Sequence, residues 1–331
     1  MTHESSPALR SFGTELRVFP MGLGCMAMSG VYGQSDEAEG VATIQAAIDR
    51  GVTLIDTGDF YGQGQNERLV GRALAGRRDK ALLSVKFGAM RAPDGSWVGF
   101  DGRPAAVKNF LAYSLERLGV DHVDIYRPAR LDPTVPIEET VGAVADMIDA
   151  GYVRYLGLSE MGAETVRRAH AVHPVCDLQI EYSLVSRGPE RSIWPALDEL
   201  GIGVTAYGVL SRGLLSGSKI KGEGDMRARL PRFTGENLVR NERLVATLAR
   251  MAADVGATPS QLAIAWVLAK GPRIVPVMGA RTRAQLEEAL GALRVRLSPE
   301  QIAAIEEAVP ASSVAGSRYA EPQMRHLDSE R

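Results

Sequence analysis

Cysteine is nearly missing from this chain. Its 331 residues include two, Cys25 and Cys176, with no metal-ligand spacing around either. That excludes a small disulfide-stapled scaffold and fits free thiols in a reducing cytoplasm. Histidine is also sparse: none of the five, at 3, 122, 170, 173 and 326, forms an HxxxH pair, so no metal site is expected. No apolar run reaches the ~18 residues of a membrane span, and MTHESSPALRSFG at the start lacks the charged-then-apolar pattern of an export signal. We therefore expect a cytoplasmic protein that does not enter membranes. Net charge is also small, at −2, which argues against binding nucleic acid by neutralising phosphates. No G-x-G-x-x-G opens a helix, so a Rossmann reading has no support.

What is present is a repeat. An apolar fraction of 45% and a charged fraction of 24% are those of an ordinary globule. Short β-branched runs alternate with amphipathic stretches. Strands are expected at 19–24, 52–55, 82–86, 122–126, 153–158, 177–180, 203–207 and 273–277. Helices are expected at 35–50, 65–76, 104–118, 137–150, 162–172, 189–200, 237–255 and 282–291, with additions at 259–269 and 298–308. Gly51, Gly151 and Gly201 follow three of these helices, in the position glycine prefers. Strict alternation means parallel strands with crossover helices. Eight evenly spaced units favour a closed (β/α)8 TIM barrel over an open doubly wound sheet. We read one domain over 15–310, with a short N-terminal strand or hairpin and extra C-terminal helices. Segments 1–14 and 311–331 read as tails, the latter polar and loosely held.

The chemistry gathers at two strand ends. The run Val52–Ile55 delivers Asp56, with Tyr61 five residues later, and Leu82–Val85 delivers Lys86. On parallel neighbours, all three meet at one mouth. A free phenol has a pKa of about 10, and an ammonium within ~4 Å would stabilise its phenolate by on the order of 4 kcal/mol at an effective dielectric of ~20. Lys86 would supply that field and Asp56 would hold Lys86 charged. Such a trio suits protonation of a carbonyl oxygen, or deprotonation of an alcohol in reverse. The spacing alone is equally compatible with a surface tyrosine beside a structural Asp–Lys pair.

Five ordered segments add more. GVTLIDTGDFYGQGQNERLVGRAL, SVKFG, GYVRYLGLSE, LQIEYSL and VTAYGVLSRGLLSG together resemble the aldo-keto reductase superfamily, over roughly residues 15 to 308. The resemblance implies a (β/α)8 barrel that moves hydride between NADPH and a carbonyl without metal. It places Asp56, Tyr61 and Lys86 at the catalytic positions. One departure stands out: the family usually carries a histidine at the end of strand four, and Ala129 occupies that place here. Arg127 shares a strand face with Ala129, so it either points into the mouth or pairs with a barrel carboxylate.

The same resemblance implies cofactor contacts. Ser159 and Gln179 would hold the carboxamide, Tyr207 would stack on the nicotinamide, and Leu210, Arg212 and Gly213 would wrap the pyrophosphate. Met26 and Asp56 would also contact the cofactor, while Gly279, Arg281, Gln285 and Glu288 would face the adenosine end. Arg281 at a helix start implies NADPH ahead of NADH. Arg127, Met28, Tyr32, Phe87 and Trp97 are expected to line the pocket for a small-molecule carbonyl substrate. The leading expectation is an NADPH-dependent reductase of an aldehyde or ketone. The alternatives are an NAD(P)-binding sensor barrel with weak turnover, and a dehydrogenase oxidising a sugar-like alcohol.

Overall fold

The computed structural model describes residues 7–13, 16–31, 35–220 and 225–331. A two-stranded hairpin, β1 (Arg10–Phe12) and β2 (Leu16–Val18), comes first. The barrel strands are β3 (Gly22–Gly24), β4 (Leu54–Gly58), β5 (Leu82–Phe87), β8 (Val123–Pro128), β9 (Val153–Ser159), β10 (Val175–Glu181), β11 (Gly203–Tyr207) and β12 (Ile274–Gly279). They close in that order, every pair parallel, with β12 returning to β3. Between β5 and β8 lies an unexpected second hairpin, β6 (Ala89–Arg91) and β7 (Trp97–Phe100), turned at Asp94-Gly95. The first hairpin and the eight-stranded barrel agree with the sequence reading, except that β1 lies within residues 1–14, expected to be a tail, and Phe12 packs on the barrel.

Local signals set the helices that separate the strands. Asp36 caps α1 (Glu37–Asp49) by accepting from the N–H groups of Ala38 and Glu39. After it Gly51 adopts φ +87°, the left-handed turn that returns the chain to the barrel. Helices α2 (Gln65–Leu74), α3 (Pro104–Leu118), α4 (Ile137–Asp149) and α5 (Ala163–Val172) follow the expected order. The single helix expected at 189–200 is divided, into α6 (Pro189–Ser192) and α7 (Trp194–Leu200). Pro195 lacks the N–H that would continue the ladder, and Ile193 takes φ −123° at the break. Beyond β11 come α8 (Gly235–Asp254), α9 (Pro259–Ala269), α10 (Arg283–Leu290), α11 (Pro299–Ala308) and a short α12 (Glu321–Met324). Both α9 and α11 open on a capping box, Thr258 with Gln261 and Ser298 with Gln301.

The first hairpin plugs the N-terminal end of the barrel. Phe12, Leu16 and Val18 pack on Leu54, Ile125, Cys176, Val275 and Val277. Gly203 makes this possible, since a Cβ there would lie 2.2 Å from the Phe12 ring. The C-terminal end is closed differently, and here one expectation fails: residues 311–331 are not loosely held. Leu327 is buried, Asp328 accepts from the Gly162 N–H at 2.8 Å, and Arg318 is 6% exposed. The polar composition that suggested a tail supplies partners for carboxylates buried at the barrel's edge. No helix among the described residues is long and apolar enough to cross a membrane.

Candidate active site

Register brings the three expected groups together. β4 pairs with β5 so that Asp56 faces Ser84 and Gly58 faces Lys86. Lys86 Nζ donates to Asp56 Oδ1 at 2.5 Å, and both residues are buried. Ser84 Oγ at 2.9 Å and Gln179 Nε2 at 2.8 Å donate to Asp56 Oδ2. The carboxylate is thus held by three donors from two strands, leaving it one orientation. Tyr61 follows on the β4 loop, its half-buried ring 5.0 Å from Lys86 Nζ. Burial pulls Lys86 below the ordinary lysine pKa; the Asp56 carboxylate opposes this, and nearby Arg127 adds to the lowering.

Backbone strain marks this loop and its counterparts. Among the described residues, four other than glycine take positive φ: Gln63, Glu160, Ser211 and Arg212. Each lies beyond the C-terminal end of a barrel strand, where such strain gathers at functional sites. Asp59, which the sequence reading did not single out, ties the Tyr61 loop to β5. Its N–H donates to the Lys86 carbonyl at 2.9 Å and its Oδ2 accepts from the Gly88 N–H at 3.2 Å. Burial and the neighbouring Glu67 carboxylate push its pKa up to about 7.

Three residues expected to line a substrate pocket do not. Arg127 is fully buried inside the barrel, donating to Asp177 at 3.0 Å and Ser84 Oγ at 3.1 Å. Gly157 leaves room for this pair, since a Cβ there would meet Asp177 Oδ1 at 2.8 Å. A guanidinium in a barrel interior needs a carboxylate more than it needs the mouth. Phe87 stacks on Tyr126 with centroids 4.2 Å apart, in the core. Met28 is buried facing Gly40, between α1 and the barrel. Trp97 does stand at the mouth, 43% exposed, with Phe60 edge-on to it and Phe60 in turn against Tyr61. Tyr32 lies outside the described residues. Ala129 is buried after β8, its N–H donating to the Phe87 carbonyl at 2.8 Å.

Across the mouth, Ser159 at the end of β9 and Gln179, two residues before the end of β10, are register partners, both buried. Tyr207 ends β11 half-buried, its hydroxyl donating to Glu160 at 2.7 Å and lying 3.1 Å from the Tyr319 hydroxyl. Glu160 also accepts from both terminal nitrogens of Arg318, at 2.8 and 2.6 Å. Burial would raise the Glu160 pKa, but Arg318 and Arg130 hold it at about 2. The sequence reading missed the Glu160–Arg318 pair because 158 positions separate its members. Arg212 is not turned outward: it pairs with Glu181 at 3.1 Å and lies over the Tyr319 ring at 4.3 Å. Leu210 and Gly213 bracket the strained turn, closed by the Gly213 N–H on the Leu210 carbonyl.

The expected adenosine-facing residues lie past β12. Gly279 is exposed at the strand end, and Gln285 on α10 accepts from the Arg281 N–H at 2.8 Å. Glu288 points away, toward α9, where it accepts from the Thr258 hydroxyl. Met26 sits half-buried just beyond β3. Among the described residues, no group of three or more His, Cys, Asp or Glu side chains could hold a metal ion.

A nicotinamide dinucleotide fits these residues. A hydroxyl and an amide stand on adjacent strands, a tyrosine ring lies beside them, and a glycine-containing left-handed turn and a helix start follow on the next two strands.

Known proteins point the same way. The Aldo/keto reductase family profile matches residues 20–310. A probable aldo-keto reductase 1 from Glycine max is 41% identical over 315 residues, covering 93% of this chain and 90% of that protein. Glycerol dehydrogenase AKR11B4 from Gluconobacter oxydans superposes with TM-score 0.84 at 28% identity, over 98% of this chain and 97% of its own. An aldo/keto reductase from Klebsiella pneumoniae, solved with NADP and acetate, superposes with TM-score 0.73 at 26% identity, over 92% and 96% of the two chains. With barrel, polar strand ends and sequence agreeing, this chain belongs to the aldo/keto reductase family.

Proposed function

We propose that the protein is an NADPH-dependent reductase of aldehydes or ketones. The observation that carries this reading is the Lys86 ammonium, 2.5 Å from Asp56 and 5.0 Å from the Tyr61 ring centroid. A cation so placed favours the phenolate, and the tyrosine becomes a usable proton donor near neutrality. Tyr61 then gives its proton to the carbonyl oxygen as charge develops there. Asp56, fixed by Ser84 and Gln179, keeps Lys86 charged and aimed. Ser159, Gln179 and Tyr207 would hold the nicotinamide, the turn through Leu210, Arg212 and Gly213 its pyrophosphate, and Gly279, Arg281 and Gln285 the adenosine end. When bound, the nicotinamide supplies the hydride. Arg281 at the start of α10 favours a 2'-phosphate and hence NADPH over NADH. The Klebsiella relative, solved with NADP, supports the same choice.

The test is oxidation of NADPH across a panel of aldehydes, ketones and quinones. Binding of NADPH with no turnover on any of them would sink the reading and favour a sensor barrel. One second reading has a specific support: the structural likeness to a glycerol dehydrogenase favours oxidation of a polyol. Turnover of NAD(P)+ with glycerol or a sugar alcohol, exceeding carbonyl reduction at neutral pH, would select it.

A further inference from the structure

At the rim from β8 to β11, the arginines are matched to carboxylates with one exception. Arg127 is sealed with Asp177, Arg212 and Arg232 hold Glu181, and Arg318 holds Glu160. Arg130, two residues beyond β8, has no carboxylate within ion-pair distance among the described residues. Its Nη1 donates to the carbonyl of Ala129 at 2.5 Å and to Ser159 Oγ at 3.4 Å. Its Nε and Nη2 make no hydrogen bond to a described residue and are not sealed from solvent. Burial disfavours the Arg130 charge, but Tyr207, Tyr319 and Glu160 outweigh it, so the group stays cationic. Glu160 offers little more, being gripped already by both arms of Arg318.

Glu160 steadies the Arg130 charge from beyond ion-pair distance, and the open guanidinium edge leaves two donors that an arriving anion can take without breaking an existing ion pair. Position says which anion. β8 lies between β5, which carries Lys86, and β9, which carries Ser159. Arg130 therefore stands one strand over from Lys86, with its guanidinium turned to Ser159 and within the field of Tyr207 and Glu160. The features suited to phosphates are on other strands, the left-handed turn after β11 and the helix start after β12. The Ala129 side chain is only a methyl group, and its carbonyl takes Nη1 alone, so the Nε–Nη2 edge of Arg130 is left to an incoming oxygen. We propose that Arg130 receives a carboxylate of the substrate, and that the preferred substrates are oxo acids, aldehydes or ketones bearing a carboxylate a few bonds from the carbonyl. Two donors on one guanidinium edge match the two oxygens of a carboxylate.

The inference rests on the reductase reading, and the experiment separates the two. Kinetics with para-carboxybenzaldehyde and with benzaldehyde are compared in wild type, Arg130→Met and Arg130→Lys, together with the NADPH dissociation constant from fluorescence. Arg130→Met is expected to lose about tenfold to a hundredfold in kcat/KM on the carboxylated aldehyde, mostly through KM. Benzaldehyde should change by less than about threefold, with NADPH binding unaltered and Arg130→Lys in between. Equal losses on both aldehydes, or a weakened NADPH complex, would assign Arg130 to the cofactor or to the fold and overturn the proposal. Should wild type reduce neither these aldehydes nor any other carbonyl of the panel, the reductase reading fails. Benzoate titrated into the NADPH-bound protein then decides the arginine's role: weaker binding in Arg130→Met supports it, and equal binding overturns it. If Arg130→Met does not fold, Arg130→Lys against wild type carries the same comparison.

Discussion

At the N-terminal end of the barrel, Phe12, Leu16 and Val18 press on Leu54, Ile125, Val275 and Val277, and Arg10 fastens the hairpin to the carbonyls of Leu268 and Gly271. At the C-terminal end, the strand ends are laced by Asp56, Lys86, Glu160 and Arg318, and the neighbouring loops hold four strained residues. Apolar contact has no direction, so the plug needs only shape and volume. Buried charge needs a partner at a defined place, and that requirement builds a rigid, polarised mouth. One end stabilises the barrel and the other positions reactive groups.

Substitutions at the two ends should separate these roles. The largest effect is expected from Tyr61→Phe, with kcat falling by about two to four orders of magnitude while NADPH affinity and melting temperature hold. A Tyr61→Phe enzyme with near-normal kcat would remove the proton-donor assignment. Phe12→Ala at the plug should cost about 3–5 kcal/mol in chemical denaturation and leave kcat/KM unchanged. Arg318→Met should cost a similar ~3–5 kcal/mol, because it strands the Glu160 carboxylate. It should also raise KM, since Tyr207 and Tyr319 share that network. If both variants lose stability and neither loses activity, the C-terminal segment is only a strap.

The smallest effect concerns Asp59. Its folded pKa, about 7, lies above the ordinary aspartate value, so the folded protein binds the extra proton. Stability from this group is complete at acid pH and is lost as pH rises toward the folded value. Between pH 5 and 7 the loss should be on the order of 2 kcal/mol. Asp59→Asn should flatten that slope in thermal melts, and an unchanged slope would show that Asp59 does not carry it.

Period and punctuation made the barrel legible. Alternating β-branched runs and amphipathic helices, with glycines at helix ends, identify the repeat because each element must bury one face. Asp56, Tyr61 and Lys86 were legible for the same reason, standing at strand ends that parallel pairing brings to one side. Other assignments failed where side-chain direction mattered. Met28 and Phe87 sit beside the mouth in sequence but turn into packed layers, and Arg127 answers Asp177 from across the barrel. The β6–β7 hairpin was missed because its strands are three and four residues long.

The amino-acid sequence by itself determined the kind of fold, the order of its strands and the residues that end them, since local propensity and hydrophobic period act over a few neighbours. Tertiary structure alone decided how the charges pair. Glu160 meets Arg318 from 158 positions away, and Arg127 meets Asp177 from 50. Only barrel closure brings such groups within hydrogen-bonding distance. Among the described residues, closure likewise leaves Arg130, unlike its neighbours, without a carboxylate at ion-pair distance. The physical reason is that electrostatic pairing depends on distance in space, which the chain sets only after its strands have joined.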